Sequence, residues 1–462
     1  MITGEPIPQD KKQNDMVIGG TLNKQGAITI KAIKVGADTM LSQIINFVDK
    51  AQGSKAQIQA LVDKISAIFV PLVLSVAFVT LILWLTIGSY YLGPSQSLSF
   101  GLLSFVGVLV IACPCALGLA TPTAIIVGVG KGAENGILIK DAESLEKLYK
   151  VNTLVFDKTG TITNGEPTVV NFVSLDPKNK DIDILQLAAS IEKFSQHPLA
   201  MAIIKRAKEL SLDNLKVGEF RETEGVGVKG VIQNNKIVIR KPLNREHEII
   251  QVQKFESVGK TVIIVEINNK VAGILAISDL IKKNAKETIT KFHKFGIQTV
   301  MLTGDNKRAA AYIAKAAGMD RVKAEVTPQD KAVAIQDLQK EGNSVAMIGD
   351  GINDAPALTQ ADVGIAMATG TDIAIESSDI ILLHGDISKI PQAIKLSRST
   401  IRTIRQNLFW AFIYNIIGIP LAAGLFYPLW GVFLNPIFAG LAMALSSVTV
   451  VSNSLLLKRL RL

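Results

Sequence analysis

The chain has 462 residues, of which 48% are hydrophobic and only 19% charged, and its mean hydropathy is positive at +0.33. That average is too apolar for an ordinary soluble protein and too charged for a pure membrane protein; it also excludes intrinsic disorder, and two cysteines exclude a disulfide scaffold. The net charge of +9 gathers beside two apolar runs, with no aromatic residues interleaved among bases on a face, so no nucleic-acid partner is expected.

In chain order, residues 1–50 read as short alternating strands and glycine turns, at 16–20 and 26–30, a fragment of a β-rich domain with no signal peptide before the first apolar run. From Ile65 to Gly130 there is no Asp, Glu, Lys, Arg or His, and the same holds from Gln406 to Leu457, runs of 66 and 52 residues. A bilayer helix needs roughly 20 apolar residues, so each run accommodates two spans. These are predicted at about 65–88, 98–122, 406–426 and 432–456, with breaks at the Gly, Pro and aromatic residues of 88–94 and 427–431. Bases stand at the opposite ends (Lys50, Lys55, Lys64, Lys131, Lys140; Arg398, Arg402, Arg405, Lys458, Arg459, Arg461). The positive-inside rule therefore places both termini and the 131–405 segment in the cytoplasm.

Both cysteines lie in the second predicted span as Cys113-Pro-Cys115. Residues two apart on an ideal helix point about 200° from each other, and a proline between them unwinds the helix locally, so both sulfurs can face one ion. Thiolates select soft ions such as Cu(I), or Zn; the alternative is two small apolar side chains beside a kink. The second run adds Tyr414-Asn415 and Met443-Ala-Leu-Ser-Ser447. A thioether suits Cu(I), whereas Zn²⁺ often takes a carboxylate or imidazole, and neither run has one.

From about 140 to 400, short apolar runs alternate with amphipathic helices, the pattern of a doubly wound parallel α/β sheet. Strands are predicted to end at Asp157-Lys-Thr-Gly-Thr161, Thr303-Gly-Asp305 and Gly349-Asp-Gly-Ile-Asn-Asp354, and ligands bind at the carboxyl ends of such strands. Thr327-Pro-Gln-Asp330 reads as a helix start that presents Lys331 from its first turn. Carboxylates bind Mg²⁺, lysine and hydroxyl donors neutralise a transferring phosphoryl group, and one carboxylate can act as nucleophile. Each turn alone is more often a simple capped turn; together they point to phosphoryl transfer. Residues 166 to about 275 interrupt the sheet pattern as an inserted domain. It carries Glu192, Ser195-Gln-His-Pro198 and Glu224-Gly-Val-Gly-Val-Lys-Gly230, whose glycines permit close approach to a base or phosphates.

Asp157-Lys-Thr-Gly-Thr161 resembles the phosphorylation signature of P-type ATPases, and Thr303-Gly-Asp305, Lys331 and Gly349–Pro356 resemble the remaining motifs of their phosphorylation domain. Cys-Pro-Cys with Tyr-Asn and Met-x-x-Ser-Ser is similar to the intramembrane signature of the Cu⁺-transporting members, which implies copper(I) as the ion, with silver(I) as a chemical mimic. The inserted motifs resemble the nucleotide-binding domain of the heavy-metal subgroup, with two departures: Gln196 where Glu is common, and Arg240-Lys241 where Gly-Asn is usual. Thr3-Gly-Glu5 resembles the actuator loop.

The resemblance implies an α/β cytoplasmic body, namely a haloacid-dehalogenase-like Rossmann phosphorylation domain with an inserted α+β nucleotide-binding domain. It adds an α-helical membrane domain of four spans and a partial β-rich actuator domain. The implied boundaries are 1–50 actuator, 51–130 first membrane hairpin, 131–165 and 275–400 phosphorylation domain, 166–274 nucleotide-binding domain and 401–462 second membrane hairpin. Asp157 is then the nucleophile, Lys331, Thr303, Asp305 and Asn353 serve the phosphoryl group, and Glu5 serves the attacking water. Mg²⁺ falls to Asp157, Thr159, Asp350 and Asp354; ATP to Glu192, His197, Gly225 and Gly227; Cu(I) to Cys113, Cys115, Tyr414, Asn415, Met443 and Ser447. The implied function is ATP-driven Cu(I) export from the cytoplasm, by a multi-pass protein of the cell membrane in contact with lipid and supplied by a cytoplasmic copper carrier. The chain is expected to be the carboxyl-terminal part of such a pump. A non-transporting remnant that keeps nucleotide or metal binding, or a Zn(II) pump, are the alternatives.

Overall fold

The computed structural model describes residues 12, 15, 17, 28–33, 35, 57–113, 115–195, 197–223, 227–350, 352–367, 376–431 and 433–462. The expected strands of 1–50 fall almost wholly outside these; Ile28–Ile30 is described, is exposed and has no strand. The chain divides into two compact units, Val151–Ser377 and Met1–Lys150 with Ser378–Leu462.

The second of these begins with apolar helix α1 (Gln57–Leu83), which runs through a π-helical turn, Trp84–Gly88, to Leu92. Gly93, at φ 82°, breaks the chain, and Pro94 starts α2 (Pro94–Ile111) where a missing N–H is harmless. α2 stops two residues before Cys113. The amide of Cys113 closes onto Val110 O in a tight turn, a carbonyl to which a proline at 114 has no N–H to offer. α3 (Cys115–Glu134) then resumes, so the helix is interrupted where the Cys-Pro-Cys chemistry requires. β1 (Ile137–Ile139) and α4 (Ala142–Lys150), capped by Asp141 through Ser144, complete this stretch.

In the Val151–Ser377 unit the elements are β2 (Thr153–Asp157), β3 (Thr163–Ser174), α5 (Asp181–Glu192), α6 (Pro198–Glu209), β4 (Gly218–Thr223), β5 (Gly227–Ile232) and β6 (Asn235–Arg240). They continue as α7 (Ile250–Ser257), β7 (Thr261–Ile267), β8 (Lys270–Ile281), α8 (Ala285–Lys294), β9 (Gln298–Leu302), α9 (Lys307–Ala317) and β10 (Arg321–Lys323). α10 (Pro328–Lys340), β11 (Val345–Gly349), α11 (Ala355–Gln360) and β12 (Val363–Met367) close it. Strands β12, β11, β2, β9 and β10 pair in that order, all parallel. β2, β11 and β12 are buried along their whole length, as expected of a parallel sheet covered on both faces. The inserted segment folds as an antiparallel sheet ordered β3-β8-β7-β6-β5-β4. One face packs on α5 and α6 around Ile184, Ile191 and Ile203, the other on α7 around Val252 and Phe255.

The chain returns as β13 (Ile380–Leu382), antiparallel to β1, then the 34-residue α12 (Lys389–Ala422) and α13 (Pro436–Leu455). Among the described residues three helical stretches are long and apolar enough to cross a membrane: Ile58–Leu92, Pro94–Glu134 and Pro436–Arg459. These contain the spans expected at 65–88 and 98–122 and most of 432–456. The expected span at 406–426 falls in α12 and the turn after it and does not reach that apolarity. Its run is diluted by Gln406, Asn407, Tyr414 and Asn415, of which Asn407 and Asn415 are buried against neighbouring helices.

Candidate functional site

Parallel pairing puts Asp157 beside Leu302 and Phe156 beside Ile348, so the ends of β2, β9 and β11 share one edge. Asp157, Thr303 and Asp350 follow at that edge. Thr327 caps α10 by accepting the amide of Asp330, which fixes the first turn and aims Lys331 inward. Its Nζ lies 2.6 Å from Asp157 Oδ1 and 2.6 Å from Asp354 Oδ1, and all three groups are buried. Burial, then the Asp354 carboxylate, pushes Asp157 up to about 6. Asp350 is raised by the same two causes. For Lys331, burial opposes the charge, but Asp157 and Asp354 outweigh it and hold the ammonium above its ordinary range.

Asp157, Asp350 and Asp354 each offer an oxygen within 4.8 Å of the others. Three hard carboxylates this close together fit a small divalent cation, whose charge would offset their repulsion, and the donor set suits Mg²⁺. Thr159 contributes differently from a side-chain ligand: its side chain is exposed, and its amide donates to Asp157 Oδ2 at 3.1 Å. Asn353 is exposed in a short turn after β11, leaving its amide accessible.

Two glycines permit this crowding. Gly160 turns at φ 72°, and a Cβ there would collide with the Asp350 carboxylate. At Gly349 a Cβ would lie 2.6 Å from Asp354 Oδ2. Thr303 is buried and its hydroxyl accepts the amide of Asp305, while Asp305 pairs with Lys158 Nζ at 2.8 Å. Thus Asp305 orients the loop that carries Asp157. Two residues missing from the motif reading brace the same loop. Asp279 binds the Thr163 hydroxyl and the Gly165 amide, and Lys282 Nζ donates to Gly160 O at 2.8 Å. Their only sequence signal is an acid and a base closing the apolar strand β8.

In the inserted domain Glu192 ends α5 and is buried. Burial, then the nearby Glu222, pushes it up to about 7. Ser195 ties the region together, donating to Glu222 Oε1 at 2.9 Å and accepting the amide of His197. His197 is exposed and caps α6, its Nδ1 accepting from Leu199 N. Gly227, at φ 140°, has no room for a Cβ against Ile239 O. It pairs with Arg240, which is engaged by Glu246 at 2.6 Å and by Glu266. Gly225 and Glu5 lie outside the described residues.

In the helical unit Cys113, whose sulfur is disulfide-bonded, packs on the cluster that includes Val108, Ile111, Ala112 and Met443, which places its sulfur and a thioether sulfur in one cluster. Cys115 opens α3; its side chain is outside the described set. Tyr414 is half-buried, Asn415 is 4% exposed and its Oδ1 has no partner among the described residues. On α13 it is Ser446 whose hydroxyl is fully buried and unpartnered among the described residues, whereas Ser447 is half-buried.

A haloacid dehalogenase-like hydrolase model matches residues 151–362, and a P-type ATPase actuator model matches residues 1–49. The chain is 49% identical over 469 residues to a copper-exporting P-type ATPase of Legionella pneumophila, covering 100% of this chain and 63% of that protein. It is 48% identical over 469 residues to a silver exporting P-type ATPase of Salmonella typhimurium, covering 100% and 57%. A crystal structure of a zinc-transporting PIB-type ATPase in the E2.Pi state superposes with TM-score 0.77 at 33% identity, over 93% of this chain and 69% of that one. The chain spans 57% and 63% of the length of these two curated relatives.

Proposed function

The chain belongs to the P-type ATPases, and on that premise we propose that it carries the catalytic and ion-binding core of a pump that exports Cu(I), with Ag(I) as a mimic, through an aspartyl-phosphate on Asp157. The observation that carries the reading is Lys331 between Asp157 and Asp354 at the strand-end edge, 2.6 Å from each. In this reading a carboxylate oxygen of Asp157 attacks the γ-phosphorus of ATP, the bond to the β,γ-bridging oxygen breaks, and ADP leaves. Lys331 balances the negative charge, Thr303 and Asn353 position the phosphoryl group, and Asp305 holds the loop through Lys158. Mg²⁺, held by Asp157, Asp350 and Asp354 and near Thr159, supplies charge neutralisation when bound. Water then attacks phosphorus, restoring the carboxylate and releasing phosphate, with Glu5 orienting or deprotonating it.

Glu192, His197, Gly225 and Gly227 form the proposed adenine side of the ATP site. Cys113, Cys115, Tyr414, Asn415, Met443 and Ser447 form the copper path, supplied from the cytoplasm by a soluble copper carrier and opening outward across the cell membrane. Both termini and the ATPase body are assigned to the cytoplasm. A Zn(II) pump is the second reading, favoured by the zinc-transporting structural neighbour; the lack of carboxylate and imidazole in both apolar runs weighs for copper.

The test is labelling from γ-phosphate-labelled ATP with Mg²⁺ in membranes carrying the chain. An acid-stable, hydroxylamine-sensitive label is expected, stimulated by Cu⁺ or Ag⁺ and absent in Asp157→Asn. Label that survives Asp157→Asn would overturn the nucleophile, stimulation by Zn²⁺ would overturn the ion, and metal-independent label would favour a non-transporting remnant.

A further inference from the structure

Asn407 lies on α12 at the start of the second apolar run and is fully buried. Its side chain joins three helices: Nδ2 donates to Ala120 O of α3 at 3.0 Å and to Ser454 Oγ of α13 at 2.8 Å, and Oδ1 accepts from Asn453 Nδ2 at 2.8 Å. Ser454 passes its own proton to Val450 O at 2.9 Å. Three of the four hydrogen-bonding positions of this amide are thereby used.

The bond to Ser454 also sets a register. Counting from it, buried positions on antiparallel α12 and α13 advance in step: Ala411 with Val450, which share one cluster, then Asn415 with Ser446, then Ala422 with Ala439, which share another. Asn415 Oδ1 and Ser446 Oγ, both buried and without a hydrogen-bond partner among the described residues, therefore lie at one level of the seam, one turn from Met443. On the third helix the anchored carbonyl, Ala120, is only five residues from Cys115. A slip of one residue along either helix would move its ligands by about 1.5 Å and turn them by about 100°.

We propose that Asn407 is a positioning residue for the metal path: it fixes the start of α3 against the α12–α13 seam and so sets how the Cys113–Cys115 pair meets Met443 and Asn415. The proposal rests on the copper reading for its ligand and on the hydrogen bonds alone for its geometry. The test compares Asn407→Leu and the milder Ser454→Ala with the unmodified full chain in detergent. Cu(I) affinity is read by competition with a chromophoric Cu(I) chelator. After reduction, the alkylation rate of Cys113 and Cys115, the only two cysteines, is read by a small maleimide. Asn407→Leu is expected to weaken Cu(I) binding about tenfold, the usual effect of removing an outer-shell partner, and to change the thiol alkylation rate several-fold. Ser454→Ala should shift both in the same direction by less, and ATP affinity should not move. Unaltered thiol reactivity in both variants overturns the positioning role. Absence of Cu(I) binding by the unmodified chain overturns the copper reading instead, and the alkylation rates still decide the role of Asn407. If Asn407→Leu does not fold, Ser454→Ala decides alone.

Discussion

At Gly160 the backbone turns at φ 72° with the Asp350 carboxylate where a side chain would stand. Gly160→Ala therefore combines left-handed strain of about 1–2 kcal/mol with displacement of the Asp350 carboxylate. The expected outcome is a folded chain that no longer labels from ATP, checked by labelling alongside circular dichroism. Glu192 makes a different residue-scale prediction. Its folded proton affinity is raised to about 7, so between about 4.5 and 7 the folded chain holds a proton the unfolded chain has lost. Stability then falls as pH rises through that window, and the loss is complete above it. Glu192→Gln should be more stable than the unmodified chain at pH 8, by at most on the order of 3 kcal/mol and read in denaturant unfolding, and the difference should vanish near pH 4. An unchanged difference across that range would refute burial as the cause.

Among the elements, α10 shows how a local rule serves the site. Thr327 caps the helix, its hydroxyl 2.6 Å from Asp330 Oδ2, and Lys331 leaves from the turn so fixed. Thr327→Ala is expected to lower stability by about 1 kcal/mol, the usual effect of a lost cap, and to slow labelling of Asp157 more than ATP binding. Equal loss of both would show that the cap supports the unit as a whole rather than the aim of Lys331. The break between α2 and α3 follows a rule of the same kind, since a proline between two cysteines denies one backbone hydrogen bond where the helix stops.

For the whole molecule, the apolar helices leave most of their surface uncovered: only 22% of the apolar window in Ile58–Leu92 is buried, and 28% in Pro436–Arg459. Such area is too large for a soluble surface and is expected to lie in lipid. The chain should stay with membranes through alkaline carbonate extraction and leave only with detergent; release by carbonate would refute insertion. Much of this was legible in sequence. Strands β2, β9 and β11 read as apolar runs ending in Asp157, Thr303 and Asp350, because buried parallel strands are apolar throughout. Lys331 was legible from its cap. Asp279 and Lys282 were not, because they reach the loop after Asp157 from the far end of an inserted domain, more than a hundred residues away. Ser446 was indistinguishable from Ser447 for a related reason: which of two adjacent hydroxyls faces the seam depends on how α13 is rotated against α12.

Sequence by itself determined the local and periodic features: two charge-free runs, the strand-end carboxylates, the proline that parts two cysteines, and the ATPase resemblance they carry. These follow from hydropathy, backbone chemistry and residue spacing, which act within a few residues. Tertiary structure alone decided the close approach of three carboxylates, two of them paired to one lysine, the glycines that make room for it, and the junction at Asn407. Each depends on groups that meet across tens or hundreds of residues, and no local pattern encodes which buried polar group will face which.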